Sequence, residues 1–89
     1  MMDRAARLRR LYFRAWHRGT KEADLLIGGF CDRYSAEWDD DQIGWFETQL
    51  EEQDVVIMAW AIGTQPVPDR FACPMMRQLQ TLDYIKHPQ

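Results

Sequence analysis

Apolar residues in this chain return at the spacing of a helix, and that rhythm limits the possible fold more than any other feature of the sequence. Leu8, Leu11, Tyr12, Ala15 and Trp16 stand at i, i+3, i+4, i+7 and i+8, which lays one buried stripe along a helix over residues 4–17. Gly19 follows, where a backbone free to take positive φ commonly ends a helix. Ala23, Leu26, Ile27, Phe30 and Tyr34 repeat the pattern from Lys21 to Tyr34, widened by Leu25 and Cys31. Gly28 and Gly29 inside that second helix admit two readings, a close crossing with another helix or a break, at about 1 kcal/mol per glycine relative to alanine.

Asp39 with Gln42 three residues later reads as a capping box for a third helix from about Asp40 to Glu52. Ile43, Phe46 and Leu50 form its narrow buried stripe, with Trp45 turned elsewhere and partly exposed. Asp54 is placed to N-cap a short fourth helix, Val55 to Ile62, which Gly63 ends. That run is continuously apolar and β-branched at its start, as a buried strand would be. Its cap signals, and the lack of a second strand to pair with, favour helix. Pro66 and Pro68 impose an extended connector. Asp69–Cys73 reads as an opening turn, and Pro74 suits the first turn of a fifth helix. Met75, Met76, Leu79, Leu82 and Ile85 supply its buried face, and His87–Gln89 should fray. The expectation is an all-α chain, one domain over residues 1–89 built as an antiparallel bundle of five short helices.

A chain of 89 residues has room for one core. A hydrophobic share of 46% puts it among chains that fold, because the buried area can offset chain entropy. The net charge of −3 conceals a division along the sequence. Arg4, Arg7, Arg9, Arg10, Arg14 and Arg18 crowd the start, whereas Glu37, Asp39, Asp40, Asp41, Glu47, Glu51, Glu52 and Asp54 follow without one Lys or Arg among them. The basic element can fold over the acidic one, or each can face a different partner. Residues 1–18, Arg-rich and amphipathic, have the character of an organellar presequence, but their bulky aromatics and direct passage into the next element favour a first helix. No apolar run approaches the ~20 residues that span a bilayer, so no membrane insertion is expected.

Chemistry-bearing motifs are sparse. Cys31 and Cys73 form no CxxC pair, and a reduced compartment is the simpler reading. His17 and His87 stand apart from any set of ligands at zinc spacing, so no metal is expected. Asp39-Asp40-Asp41 starts a helix, where the dipole favours negative charge, and reads as capping. No GxSxG, P-loop or dinucleotide fingerprint is present, and no residue is nominated as catalytic. The arginine face would suit a nucleic-acid-binding or regulatory helical module, the alternative function, but the pI near 5.2 and the lack of a recognition-helix motif weigh against nucleic acid.

There remains the junction Arg18-Gly19-Thr20-Lys21-Glu22. By spacing it reads first as a helix terminus, with Gly19 as stop, Thr20 as the next N-cap and Glu22 as a first-turn carboxylate. A functional reading stands beside it. Glycine lacks a Cβ and lets a partner's backbone approach, with Arg18 and Glu22 offering opposite charges on either side.

An Arg-Gly-x-x-Glu box joining the first two helices of a helical domain of this size resembles the SdhE family. The resemblance includes Leu11-Tyr12 and Trp16 before the box, Asp24 after it, the acidic helix start behind Trp38, Trp60 ahead of the Gly63 to Pro68 connector, and Met75-Met76. It implies a flavinylation assembly factor, not an enzyme. Such a factor binds the flavoprotein subunit of succinate dehydrogenase, and in some members that of fumarate reductase, and promotes covalent attachment of FAD to a client histidine. FAD would belong to the client, with no cofactor held stably by this chain. Carried over by position, the client-binding residues are Arg18, Gly19 and Glu22 of the box, with Asp24 and His17 beside it. His17 stands where many members have a second basic residue, and the chain stops soon after the fifth helix, where some carry a longer basic tail. The resemblance implies the bacterial cytoplasm, or the mitochondrial matrix in a eukaryote.

Overall fold

A computed structural model describes residues 3–85. The expected fraying of His87–Gln89, and His87 itself, lie outside them. Five α-helices appear in order, α1 (Arg4–Trp16), α2 (Lys21–Tyr34), α3 (Asp40–Gln49), α4 (Asp54–Ile62) and α5 (Pro74–Thr81), with 3-10 turns at Ser35–Glu37 and Asp69–Phe71 and no strand among the described residues. The continuously apolar segment is therefore helix, closed by Gly63 at φ 85°.

α2 runs through its two glycines unbroken, and Gly28 serves a close crossing with α1. A Cβ built on Gly28 would stand 2.3 Å from the Trp16 ring, so α1 can lie against α2 only while that position has no side chain. Gly29 faces the C-terminal turn, where its Cβ would meet the Tyr84 carbonyl at 3.2 Å. Phe30 sits at the centre of the core, with the rings of Tyr34, Trp38, Phe46 and Tyr84 between 5.2 and 5.7 Å from its own. Such tilted and edge-on arrangements add to the area these rings bury. A second aromatic group joins Trp60 to Phe71 at 5.1 Å, beneath Trp45, whose half-buried indole Nε1 donates to the Phe71 carbonyl.

The charge division resolves as a basic helix laid along an acidic one. Arg4 meets Asp40 at 3.5 Å, Arg7 meets Glu47 at 2.8 Å, and Arg14 meets Glu51 at 3.1 Å. Partner numbers rise together, so α1 and α3 run in the same sense, as an up-down-up path through an antiparallel α2 requires. Arg4 also donates to the Trp38 carbonyl, fastening the start of α1 to the entrance of α3.

Several boundaries differ from expectation. Tyr12 is 52% exposed because the α1 stripe is narrower than its spacing implied: Leu11 and Ala15 are the fully buried positions, and Tyr12, ~100° around the helix from Leu11, falls off their line. α3 stops at Gln49, where Leu50 donates back to the Phe46 and Thr48 carbonyls and tightens the final turn. Asp54 is the first residue of α4 and not its cap. Gln53 occupies the cap position without a side-chain bond, and the Asp54 carboxylate accepts from Arg18. α5 ends at Thr81, and Leu82 takes a left-handed conformation at φ 58° that lifts Leu82 and Ile85 off the helix. Both still pack half-buried against the core, and Tyr84, not anticipated there, is buried with them and donates to the Leu79 carbonyl at 2.6 Å.

Candidate functional site

The α1–α2 junction is fixed residue by residue. His17 closes α1 with its ring stacked on Phe13 at a centroid distance of 3.9 Å. Its Nδ1 lies 2.7 Å from the Phe13 carbonyl. A carbonyl can only accept, so Nδ1 carries a hydrogen. Gly19 follows Arg18 at φ 111°, a conformation that L side chains rarely adopt. Thr20 then N-caps α2, its Oγ1 accepting the Ala23 amide at 3.2 Å.

Arg18 does not project into solvent. Only 12% of its side chain is exposed, and its guanidinium spans the gap between α3 and α4. Nε donates to Asp54 Oδ1 at 2.7 Å, and Nη2 donates to the carbonyls of Leu50 at 3.0 Å and Glu52 at 3.3 Å. Those carbonyls are left unpaired by the end of α3, where positive charge is favoured, and Asp54 brings negative charge to the N-terminus of α4. The backbone of Arg18 is held from the opposite direction, its amide donating to Asp24 Oδ1 at 2.6 Å.

The five residues singled out in the sequence therefore divide. His17, Gly19 and Glu22 are exposed at the surface; Arg18 and Asp24 are turned inward and hold the turn between them. The idea that Arg18 and Glu22 flank Gly19 as a free pair of opposite charges does not survive, because the guanidinium is committed to the α3–α4 turn. Around Gly19 the surface is open, with no atom within 4 Å of a Cβ built there. Sequence reasoning missed Asp54, whose carboxylate at a helix start reads locally as a cap. It also missed the apolar surface beside the junction, where Tyr12 and Phe13 are 52% and 60% exposed. A recess of about 320 Å³ lies behind the junction, between α2 and the C-terminal turn, lined in part by Trp16, Gly29, Asp32 and Tyr84 and by none of the five residues.

These features define a class: a small five-helix bundle that presents a pinned, glycine-centred turn to its surroundings. Residues 9–83 match the family described as the flavinator of succinate dehydrogenase, and the chain belongs to that family. The FAD assembly factor SdhE of Acetobacter pasteurianus is 43% identical over 75 residues, covering 84% of this chain and 69% of that protein. The mitochondrial succinate dehydrogenase assembly factor 2 of Saccharomyces cerevisiae is 33% identical over 75 residues, covering 80% and 46%. That of Drosophila grimshawi is 29% identical over 76 residues, covering 83% and 52%. The chain thus spans about two thirds of the bacterial relative and about half of these mitochondrial ones. No described helix is long and apolar enough to cross a membrane.

Proposed function

We propose that this chain is an assembly factor that binds the flavoprotein subunit of succinate dehydrogenase and promotes covalent attachment of FAD to it. The observation that carries this reading is the family match over residues 9–83, which takes in the whole junction. The client lands on the face bearing His17, Gly19 and Glu22, with Arg18 and Asp24 keeping that face in shape. The same reading makes the chain a non-catalytic helper. The bond-forming chemistry belongs to the client's histidine and flavin, and a surface that selects the conformer aligning them lowers the barrier through proximity and orientation alone. On this reading the flavin belongs to the client and not to this chain. In a bacterium the site of action would be the cytoplasm, and in a eukaryote the mitochondrial matrix.

The arginine face supports this reading over nucleic-acid binding. Arg4, Arg7, Arg14 and Arg18 each have a carboxylate of α3, α4 or the turn between them within 4 Å, so much of the charge that would meet phosphates is already neutralised.

Co-purification with a tagged client flavoprotein tests the proposal, and a fumarate reductase flavoprotein in parallel tests the second client. The wild-type chain should be retained. Gly19→Arg, which forces a long charged side chain into a positive-φ turn at the proposed point of closest approach, should be lost from the client while its helical circular dichroism persists. Retention of a folded Gly19→Arg chain would refute docking through the turn.

A further inference from the structure

We infer that Asp54 is a positioning residue for the client-binding turn, and that Arg18 serves that turn as a strut to the α3–α4 connection and not as a client contact. The inference rests on the assembly-factor reading for what the turn binds, and on geometry alone for how the turn is held.

Four hydrogen bonds fix Arg18. Its amide is anchored to Asp24 on α2, and its guanidinium to Asp54, Leu50 and Glu52 on the far side. Both ends of the residue immediately before Gly19 are therefore tied to different helices, and Thr20 immediately after it caps α2. Gly19 is pinned on either side while presenting only backbone. A turn ordered in this way before the client arrives loses less conformational freedom on binding. The planar guanidinium suits this work, because it reaches one carboxylate and two carbonyls in a fan that a lysine ammonium would fill less well. Asp54 completes the arrangement from the first turn of α4, its carboxylate facing Arg18. With 24% of its side chain exposed, Asp54 is placed to hold Arg18 more readily than to meet a partner.

The test is a double-mutant cycle on client affinity with Arg18→Ala, Asp54→Ala and the double variant, alongside Arg7→Ala, which breaks an ion pair of α1 away from the turn. Because residues in one network do not act independently, Asp54→Ala should weaken client binding about ten-fold, with the double variant within about three-fold of Arg18→Ala alone. Arg7→Ala should stay within about two-fold, which separates a positioning effect from loss of an ion pair in general. Asp54→Ala affinity within two-fold of wild type would overturn the inference, since Arg18 would then act without its strut. Multiplying losses in the double variant would overturn it as well, by making Asp54 an independent contact. Arg18→Lys and Asp54→Asn carry the same comparison should an alanine variant fail to fold. Amide exchange in the free chain reads the mechanical part separately. The Arg18 amide should exchange about ten-fold faster in Asp54→Ala while the Phe30 amide in α2 is unchanged. Unchanged Arg18 exchange would contradict the strut even if no client binds, whereas faster exchange without client binding in wild type would count against the assembly-factor reading alone.

Discussion

At Gly28 the absence of one carbon decides how α1 meets α2. Alanine there would bring its Cβ to between 2.3 and 2.7 Å of three atoms of the Trp16 indole. Either the ring leaves its place and gives up its Nε1 bond to Asp32, or the helices move apart. Both outcomes cost packing, and Gly28→Ala should lower stability by about 1–3 kcal/mol in chemical denaturation. Gly29→Ala meets Tyr84 at no less than 3.2 Å, at its carbonyl, and should cost less. Equal effects at the two sites would show that the crossing is looser than this geometry. The sequence marked both glycines as special but left a break as plausible as a crossing, because what a missing Cβ makes room for depends on a ring twelve residues away. Gly19 was more legible: a stop after the last apolar position of α1 already demanded a residue able to take positive φ.

Between elements, the pairing of α1 with α3 makes stability depend on pH. The hydrogen bond from Arg7 holds the Glu47 carboxyl below its ordinary range, a shift that burial opposes in part. A carboxyl whose folded-state pKa lies below its unfolded value favours folding above the unfolded value, and that contribution disappears as pH falls through the folded one. Wild type should therefore lose its melting-temperature advantage over Glu47→Gln as pH falls from about 5 to below 4, the range around the ordinary glutamate pKa of about 4.3. A difference between the two proteins that stays constant down to pH 3 would mean that the pair contributes nothing. Here the sequence displayed the basic and acidic blocks without saying whether they meet, since the partners lie 36 to 40 residues apart. Helix identity depends on local spacing and was readable for all five elements. The end of α3, the start of α4 and the left-handed Leu82 that closes α5 were not readable from that spacing, whereas Gly63 ends α4 as its position implied.

Across the whole molecule, the family resemblance singled out one stretch of chain, and the fold places its residues differently, His17, Gly19 and Glu22 at the surface and Arg18 and Asp24 turned inward. Spacing could place Arg18, Gly19, Glu22 and Asp24 together, because a helix junction keeps neighbours in sequence near one another in space. It could not show that Arg18 turns away from the surface toward Asp54, 36 residues later, so that its guanidinium is committed within the fold. The bundle holds one glycine open at the surface while three helices brace the turn around it. The measurement that addresses this most directly is covalent flavin on the client succinate dehydrogenase flavoprotein, read by in-gel fluorescence with FAD in excess, in cells carrying the wild-type chain, no chain, or folded Gly19→Arg. The account predicts strong fluorescence with wild type and background levels in the other two. Equal fluorescence in all three would contradict it.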